Sequence, residues 1–420
     1  MMHKNKLFLT VIVAFISIQT AVSQNNTNSP YTRFGFGQLH DNTSGEQRGM
    51  GGVAIGARSK QRINTVNPAS YSVSDSLTFM FDFGISTLGS RFTDDAMRRN
   101  TNFTGNLDYL TMQFRLFPGV GFSAGILPYS FAGYNFFSND SVPMPGFGDD
   151  PTQVRFTENF SGSGGINQIY TGLSFSLFNQ LSLGVNLYYM FGAYNNVRSA
   201  IFAQTAIQPT HDISTIYVNN VRFRFGAQYF NTFANRHEFT FGAIYEPKTT
   251  LGAEATRTTT THVTETDTLT NSAFSLPQTL GFGLFYTFDR RLSVGIDYSL
   301  QQWSNALFFG TTNDLIDSWQ LAVGLEYQPN FRSRRFRDRI MYRAGANIGT
   351  PYFRIGDEMP GNNFGITFGL GFPLSSSSRT VLNMAFEYGQ IGTSPKLRED
   401  YFKFTFNIAL AETWFFQRRL

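Results

Sequence analysis

The chain has 420 residues, with 46 Phe, 39 Gly and no Cys, so disulfides, thiol catalysis and a lipid-modified N-terminal Cys are excluded. Charged residues are only 15%, against about a quarter in soluble domains, and mean hydropathy is negative despite the Phe content, so apolar and polar residues are interleaved. The formal net charge of +4, which falls to +2 if Lys4 and Lys6 leave with an N-terminal leader, offers no footprint for nucleic acid.

Residues 1–23 read as a signal peptide. Lys4 and Lys6 form the positive end, Leu7 to Ile18 the apolar core, and Ala21-Val22-Ser23 a cleavage site before Gln24. The apolar run falls short of the roughly 20 residues that span a bilayer. No later stretch suits a membrane helix, so an exported, Cys-free chain with alternating aromatics points to the bacterial outer membrane.

Residues 24–76 do not alternate. They hold Thr32-Arg33-Phe34-Gly35-Phe36-Gly37, then Arg48-Gly49-Met50-Gly51-Gly52, then Asn67-Pro68-Ala69-Ser70-Tyr71. One reading is a periplasmic tail. The other is a plug inside a barrel, favoured because Phe34, Phe36, Ile55 and Tyr71 need burial.

From 77 to 420 the sequence predicts an all-β, 14-stranded antiparallel transmembrane β-barrel. The predicted strands are 77–88, 107–117, 119–128, 166–178, 180–191, 220–230, 238–246, 278–288, 290–300, 318–328, 340–349, 362–372, 380–389 and 401–412. The last is the clearest: Phe402, Phe404, Phe406, Ile408 and Leu410 alternate with Lys403, Thr405, Asn407 and Ala409. About ten residues per tilted strand matches a membrane span. Short turns at Pro118-Gly119, Asn179-Gln180 and Asp289-Arg290 alternate with long predicted loops at 129–165, 192–219 and 247–277. An even strand count leaves both barrel ends on the periplasmic side. Trp414, Phe415 and Phe416 follow the last strand where an interfacial girdle would sit.

If the oily residues face lipid, Asp82, Arg222, Arg224, Asp297, Glu326, Glu387 and Lys403 face the lumen. Strand order predicts Glu387 beside Lys403, and Lys403 beside Asp82. Such a network either staples the wall and holds the plug or grips a ligand head group. Gly121, Gly125, Pro128 and Gly133 interrupt the third strand, which either bends there or ends at Pro128. Phe131, Phe136 and Phe137, with Pro143 to Phe147, give the next connection an apolar surface. A predicted periplasmic turn carries Arg332, Arg334, Arg335, Arg337 and Arg339, placed to touch head groups or an acidic protein. No His or carboxylate cluster has metal spacing and no His sits mid-strand beside a Ser, so neither an enzyme nor a cofactor is expected.

The order Arg48-Gly49-Met50-Gly51-Gly52, Asn67-Pro68-Ala69, first strand resembles the FadL/TodX family of outer-membrane transporters of hydrophobic compounds, and most of all its divergent Bacteroidota branch. The resemblance implies a hatch containing Arg48, Gly49, Gly51, Gly52, Asn67, Pro68 and Ala69. It also implies a bent third strand that opens the wall toward lipid near Gly121, Gly125 and Pro128. The function it implies is passive passage of a fatty-acid-like molecule with lateral exit. Relatives of this fold also act as non-transporting partners in outer-membrane assembly or secretion machines, including type IX secretion. The Arg-rich turn and the Ser29 to Gly35 start favour that second role, with outer-membrane or periplasmic proteins as partners; the plug and the third-strand glycines favour passage of a hydrophobic molecule, which is the slightly preferred expectation.

Overall fold

A computed structural model describes residues 27–94, 99–144, 152–203, 207–270, 273–355, 361–374, 379–392 and 397–413. The predicted signal peptide and Trp414, Phe415 and Phe416 lie outside these residues, as do Pro145, Gly146 and Phe147 of the apolar connection.

Fourteen strands form the barrel. They are β1 (Thr78–Asp94), β2 (Arg99–Phe117), β3 (Val120–Met144), β4 (Thr152–Leu177), β5 (Leu181–Phe202), β6 (Thr210–Phe233) and β7 (His237–Glu246), followed by β8 (Thr279–Phe288), β9 (Leu292–Gln301), β10 (Ser318–Tyr327), β11 (Met341–Gly349), β12 (Asn363–Pro373), β13 (Val381–Ile391) and β14 (Leu397–Thr413). Each pairs antiparallel with its sequence neighbours, and β14 closes on β1 from Thr413↔Thr78 to Leu397↔Asp94. Closure leaves no free edge at the seam, as lipid demands of a spanning sheet. Each predicted strand overlaps one of the fourteen, in order, overrunning a strand end by at most two residues.

The period-2 pattern sets the two faces. On β14, Phe402 and Leu410 are exposed while Thr405, Asn407, Ala409 and Ala411 are buried. On β1, Ile85 is exposed while Thr78, Met80, Asp82, Gly84 and Ser86 are buried. A bare barrel would expose both faces; here the inner face is covered. The tight turns are left-handed pairs, Phe178-Asn179, Ala234-Asn235 and Asp289-Arg290, the backbone that suits two-residue hairpins.

The structure departs from the expected loops. Residues 129–165 are mostly strand: Ser130 to Met144 of β3 pair with Ile166 down to Thr152 of β4. Residues 192–219 likewise continue β5 and β6, from Gly192↔Val218 to Ala200↔Thr210. Within 247–277 a hairpin, Ala253–Thr260 and Thr264–Thr270, adds to the upper half of β6. These segments are rich in Ser, Asn, Thr and Gly and lack the continuous oily face that marks a lipid-spanning strand. Backbone pairing beyond the lipid does not need that face. A tall wall of β3 to β6 therefore stands opposite short strands β7 to β12.

Among the described residues three short helical elements punctuate the segment before β1, the first a 3-10 turn at Pro30–Arg33. In α1 (Gly45–Arg48), Ser44 and Gln47 form a reciprocal capping box. A 3-10 turn, Pro68–Val73, is capped by the Asn67 side chain, with Pro68 at its first position.

Candidate functional site

The buried face of the barrel wall meets residues 27–77. Its central positions carry glycines, and the glycines meet backbone. A Cβ placed on Gly121 of β3 would sit 2.0 Å from the Tyr71 carbonyl oxygen, and one on Gly184 of β5 2.4 Å from Pro68. One on Gly242 of β7 would lie 2.1 Å from the Ile55 carbonyl oxygen, and one on Gly324 of β10 2.2 Å from that of Met50. Gly345 of β11 and Gly369 of β12 leave similar room for Gly51 and Gly49. Asn407 of β14 abuts Gly45, and Gln113 of β2 donates to Ser74 at 2.6 Å. Residues 45–74 thus touch the wall strand after strand around its inner circumference. Gly51 and Gly52 make the turn possible, with φ of +71° and +90°.

Charge pairs fasten the same segment. Arg48 is ion-paired with Asp108 of β2, and it donates to Thr405 at 3.2 Å and to the His40 ring at 2.7 Å. Arg62 donates to Glu46 at 2.6 Å and, bidentate, to Glu326 of β10 at 3.1 Å. Glu326 also accepts from Arg343 at 2.6 Å. Asp297 of β9 accepts the Ala54 and Ile55 amides at 2.6 and 2.7 Å. The Asn67 side chain donates to the carbonyls of Ile55 (2.8 Å) and Ala227 (3.2 Å) and accepts the Ala69 amide at 3.1 Å. Burial, helped by Arg48, pushes the His40 imidazole down to about 4, so at neutral pH it is uncharged and accepts from Arg48.

The predicted network residues separate into three groups. Arg222 and Arg224 both pair with Glu246, Arg222 at 2.5 Å, and Arg224 also reaches the Val66 carbonyl at 3.3 Å. Glu387 and Lys403 face each other across β13 and β14, and Tyr401 donates to Glu387 at 2.8 Å. The expected approach of Lys403 to Asp82 is corrected: the register sets Lys403 against Leu88 and Asp82 against Ala409. Adjacent strands are staggered in height, and strand order alone does not reveal the stagger. Asp82 instead accepts from Asn407 at 2.8 Å.

Strand β3 does not end at Pro128. It continues to Met144, with an irregularity between Pro128 and Ser130. Gly125 remains paired with Thr111, and Gly121 is occupied by Tyr71. Above Leu110↔Ile126, β2 and β3 part: β2 continues with β1 and β3 with β4. Both margins of the split are irregular, with Asp108 bulged from β2 and Tyr129 from β3. Behind the split, Ser29 donates to Glu399 at 2.6 Å, and Glu399 accepts from Ser90 at 2.7 Å.

Arg332, Arg334, Arg335 and Arg337 are exposed, and among the described residues none is paired with a carboxylate. Arg337 and Arg339 lie in α2 (Phe336–Arg339), where Arg339 stands over the Phe336 ring, which stacks on Phe372 of β12. Of the apolar connection, Phe131 is buried and Phe137 exposed.

Among the described residues two sizeable cavities stand beside a small one of about 60 Å³ near His40, Arg222 and Glu246. One of about 260 Å³ is bounded by Asp41, Gln301, Asn347, Glu387 and Tyr401. The other, about 620 Å³, opens along the tall wall between Arg33, Arg198, Arg257 and Phe309. The first lining is evenly polar and apolar, and Phe160, Phe308 and Phe309 make the second more apolar than polar. Sequence reading placed Asp108 on the lumen face with the other inward charges, and missed Arg62 and the glycine ring. The ring had a signal: one inward glycine near the middle of most strands, where a side chain would otherwise fill the lumen.

No curated protein matches the sequence. Among solved structures, the toluene transporter TodX of P. putida is similar at TM-score 0.57 and 14% identity, over 89% of this chain and 99% of that one. The monoaromatic hydrocarbon channel CymD is similar at 0.57 and 13%, over 90% and 99%. A Pseudomonas aeruginosa FadL homologue is similar at 0.58 and 12%, over 89% and 98%. At such identities the likeness is one of fold, that of outer-membrane channels. The BamG family matches residues 2–420, nearly the whole sequence, and the chain belongs to the BamG family.

Proposed function

We propose that the protein is a sealed, non-transporting outer-membrane barrel that serves as a subunit of an outer-membrane protein assembly or secretion complex. In this reading residues 1–23 are removed on export and residues 24–76 are a fixed lumenal plug. The observation that carries it is the glycine ring, where the backbone of residues 45–74 occupies the space of absent wall side chains. A moving hatch would have to vacate these sites together. It would also break Arg48–Asp108, Arg62–Glu326 and the Asp297 amide contacts. Breaking one buried pair costs about 3–5 kcal/mol, so a cycle that opens several is far less favourable than a static plug. Membership of the BamG family across residues 2–420 supports the same reading, since likeness to the transporters stops at the fold.

Purification in mild detergent with mass spectrometry of everything bound tests it. A stoichiometric set of outer-membrane or periplasmic proteins is expected. Bound fatty acid or lipid with no protein partner contradicts it.

One observation favours a second reading, a passive channel for hydrophobic small molecules with lateral exit: the wall splits between β2 and β3 above Pro128. Its inner approach meets the pairs Arg48–Asp108 and Ser29–Glu399 beside the apolar side chains of Tyr31, Phe36 and Leu39.

A further inference from the structure

The split between β2 and β3 leaves a strand edge that the chain itself uses only in part. Gln38–Leu39 pairs antiparallel with Phe131 and Ser130 on the side of β3 away from β4. The Gly133 carbonyl accepts from the Ser29 amide at 2.9 Å, and the Gly133 amide donates to Thr32 at 3.1 Å. In an antiparallel strand, backbone groups of alternate residues point to alternate sides. Gly133 points to the free side, so Asn135, Phe137 and Asn139 do too, while Tyr134, Phe136 and Ser138 serve the ladder with β4. Asn135, Phe137 and Asn139 stand opposite Ser161, Asn159 and Thr157 of β4, and among the described residues no strand, turn or side chain pairs with their backbone on the side away from β4.

Open edges are commonly guarded by Lys, Pro or a covering element. Residues 132–142 contain neither Lys nor Pro, and among the described residues the cover on this edge comes from Ser29, Thr32 and Gln38–Leu39. Phe137 is 63% exposed on this edge, and Phe103, on the facing margin of β2, is 82% exposed. Both are large rings beside unpaired backbone, the combination that strand addition uses for affinity and side-chain choice.

We infer that the edge of β3 at Asn135, Phe137 and Asn139 takes an extended segment of another polypeptide, which adds as a strand and continues the pairing begun by Gln38–Leu39. The occupant is a protein strand with an apolar side chain opposite Phe137. This rests on the subunit reading above and names the surface through which a partner is held.

The test uses full-length protein in cells, with a photo-crosslinking residue placed in turn at Asn135, Phe137 and Asn139. Successive positions are expected to crosslink to residues in reverse order along one segment of a different chain, the signature of antiparallel pairing. Phe137→Pro removes an edge amide without touching the β4 ladder and is expected to cut the yield at least tenfold. Phe137→Ala keeps the amide and should lose under threefold. Heat-modifiable mobility reports folding, and Asn139→Pro serves in its place if Phe137→Pro does not fold. Crosslinks to lipid only, or to other copies of this chain only, overturn the inference, as does full yield from a folded Pro variant. An intact partner complex without these crosslinks sinks this inference alone; no complex at all sinks the subunit reading.

Discussion

The lower and upper halves of the same wall solve opposite problems. Below Ile126 every strand is paired on both sides, and inward glycines are filled by residues 45–74. Above it β2 and β3 separate, and the tall wall from β3 to β6 carries exposed rings and unpaired backbone. The lower half behaves as a packed core, where added volume has nowhere to go. The upper half behaves as a surface, where side chains change recognition and not stability. On the proposed reading, sealing and recognition are divided by height along strands shared by both.

The largest break in this contrast comes from filling a glycine. Gly121→Leu would drive its side chain into the Tyr71 carbonyl. It is expected to cost more than about 3 kcal/mol and to open residues 27–77 to protease in folded barrels. A charge on the outer face tests the wall itself. Phe368→Arg on β12, whose ring is exposed, is expected to cost about 2–4 kcal/mol in lipid-based unfolding while leaving the plug protected. Asp297→Ala removes the acceptor of two amides and should cost about 1.5–3 kcal/mol, with Asp297→Asn costing less; denaturant titration separates them.

Acid loosens the inner segment through His40, which meets Arg48 and Asp108 at the margin of the split. Its folded pKa is depressed to about 4 from an ordinary value near 6.5, so protonation favours release. The stability it contributes is fully present above about pH 6.5 and is lost as pH falls toward 4. About 2 kcal/mol should go between pH 7 and 5. Plug protection measured by protease should follow that curve, and His40→Gln should flatten it. The smallest effect is in the upper half: Phe137→Ala should change stability by under about 0.5 kcal/mol.

The barrel was legible because its strands obey one local rule. Phe402, Phe404 and Phe406 on one face and Thr405 and Asn407 on the other need no knowledge of neighbours. The tall wall was not legible, since Ser161, Gly162, Ser163, Gly164 and Gly165 pair through backbone and show no oily stripe. Asn67-Pro68-Ala69 was recognisable as a unit, and the structure shows why the unit exists: Asn67 caps the turn that Pro68 starts and reaches two strands. Lys403 was misplaced relative to Asp82 because register across the closing seam depends on the stagger of all fourteen strands. Glu387 opposite Lys403 was correct because one short connection sets it.

The central claim is that the plug does not move, and the absence of native Cys gives a clean way to test it. The Ser72 and Ser182 hydroxyl oxygens lie 2.8 Å apart, joining the 3-10 turn to β5. Ser72→Cys with Ser182→Cys, oxidised in the cell envelope, would lock plug to wall. Growth and the set of co-purified proteins should match the wild type in the locked state. Function lost on oxidation and restored on reduction would contradict the account and make the segment a moving hatch.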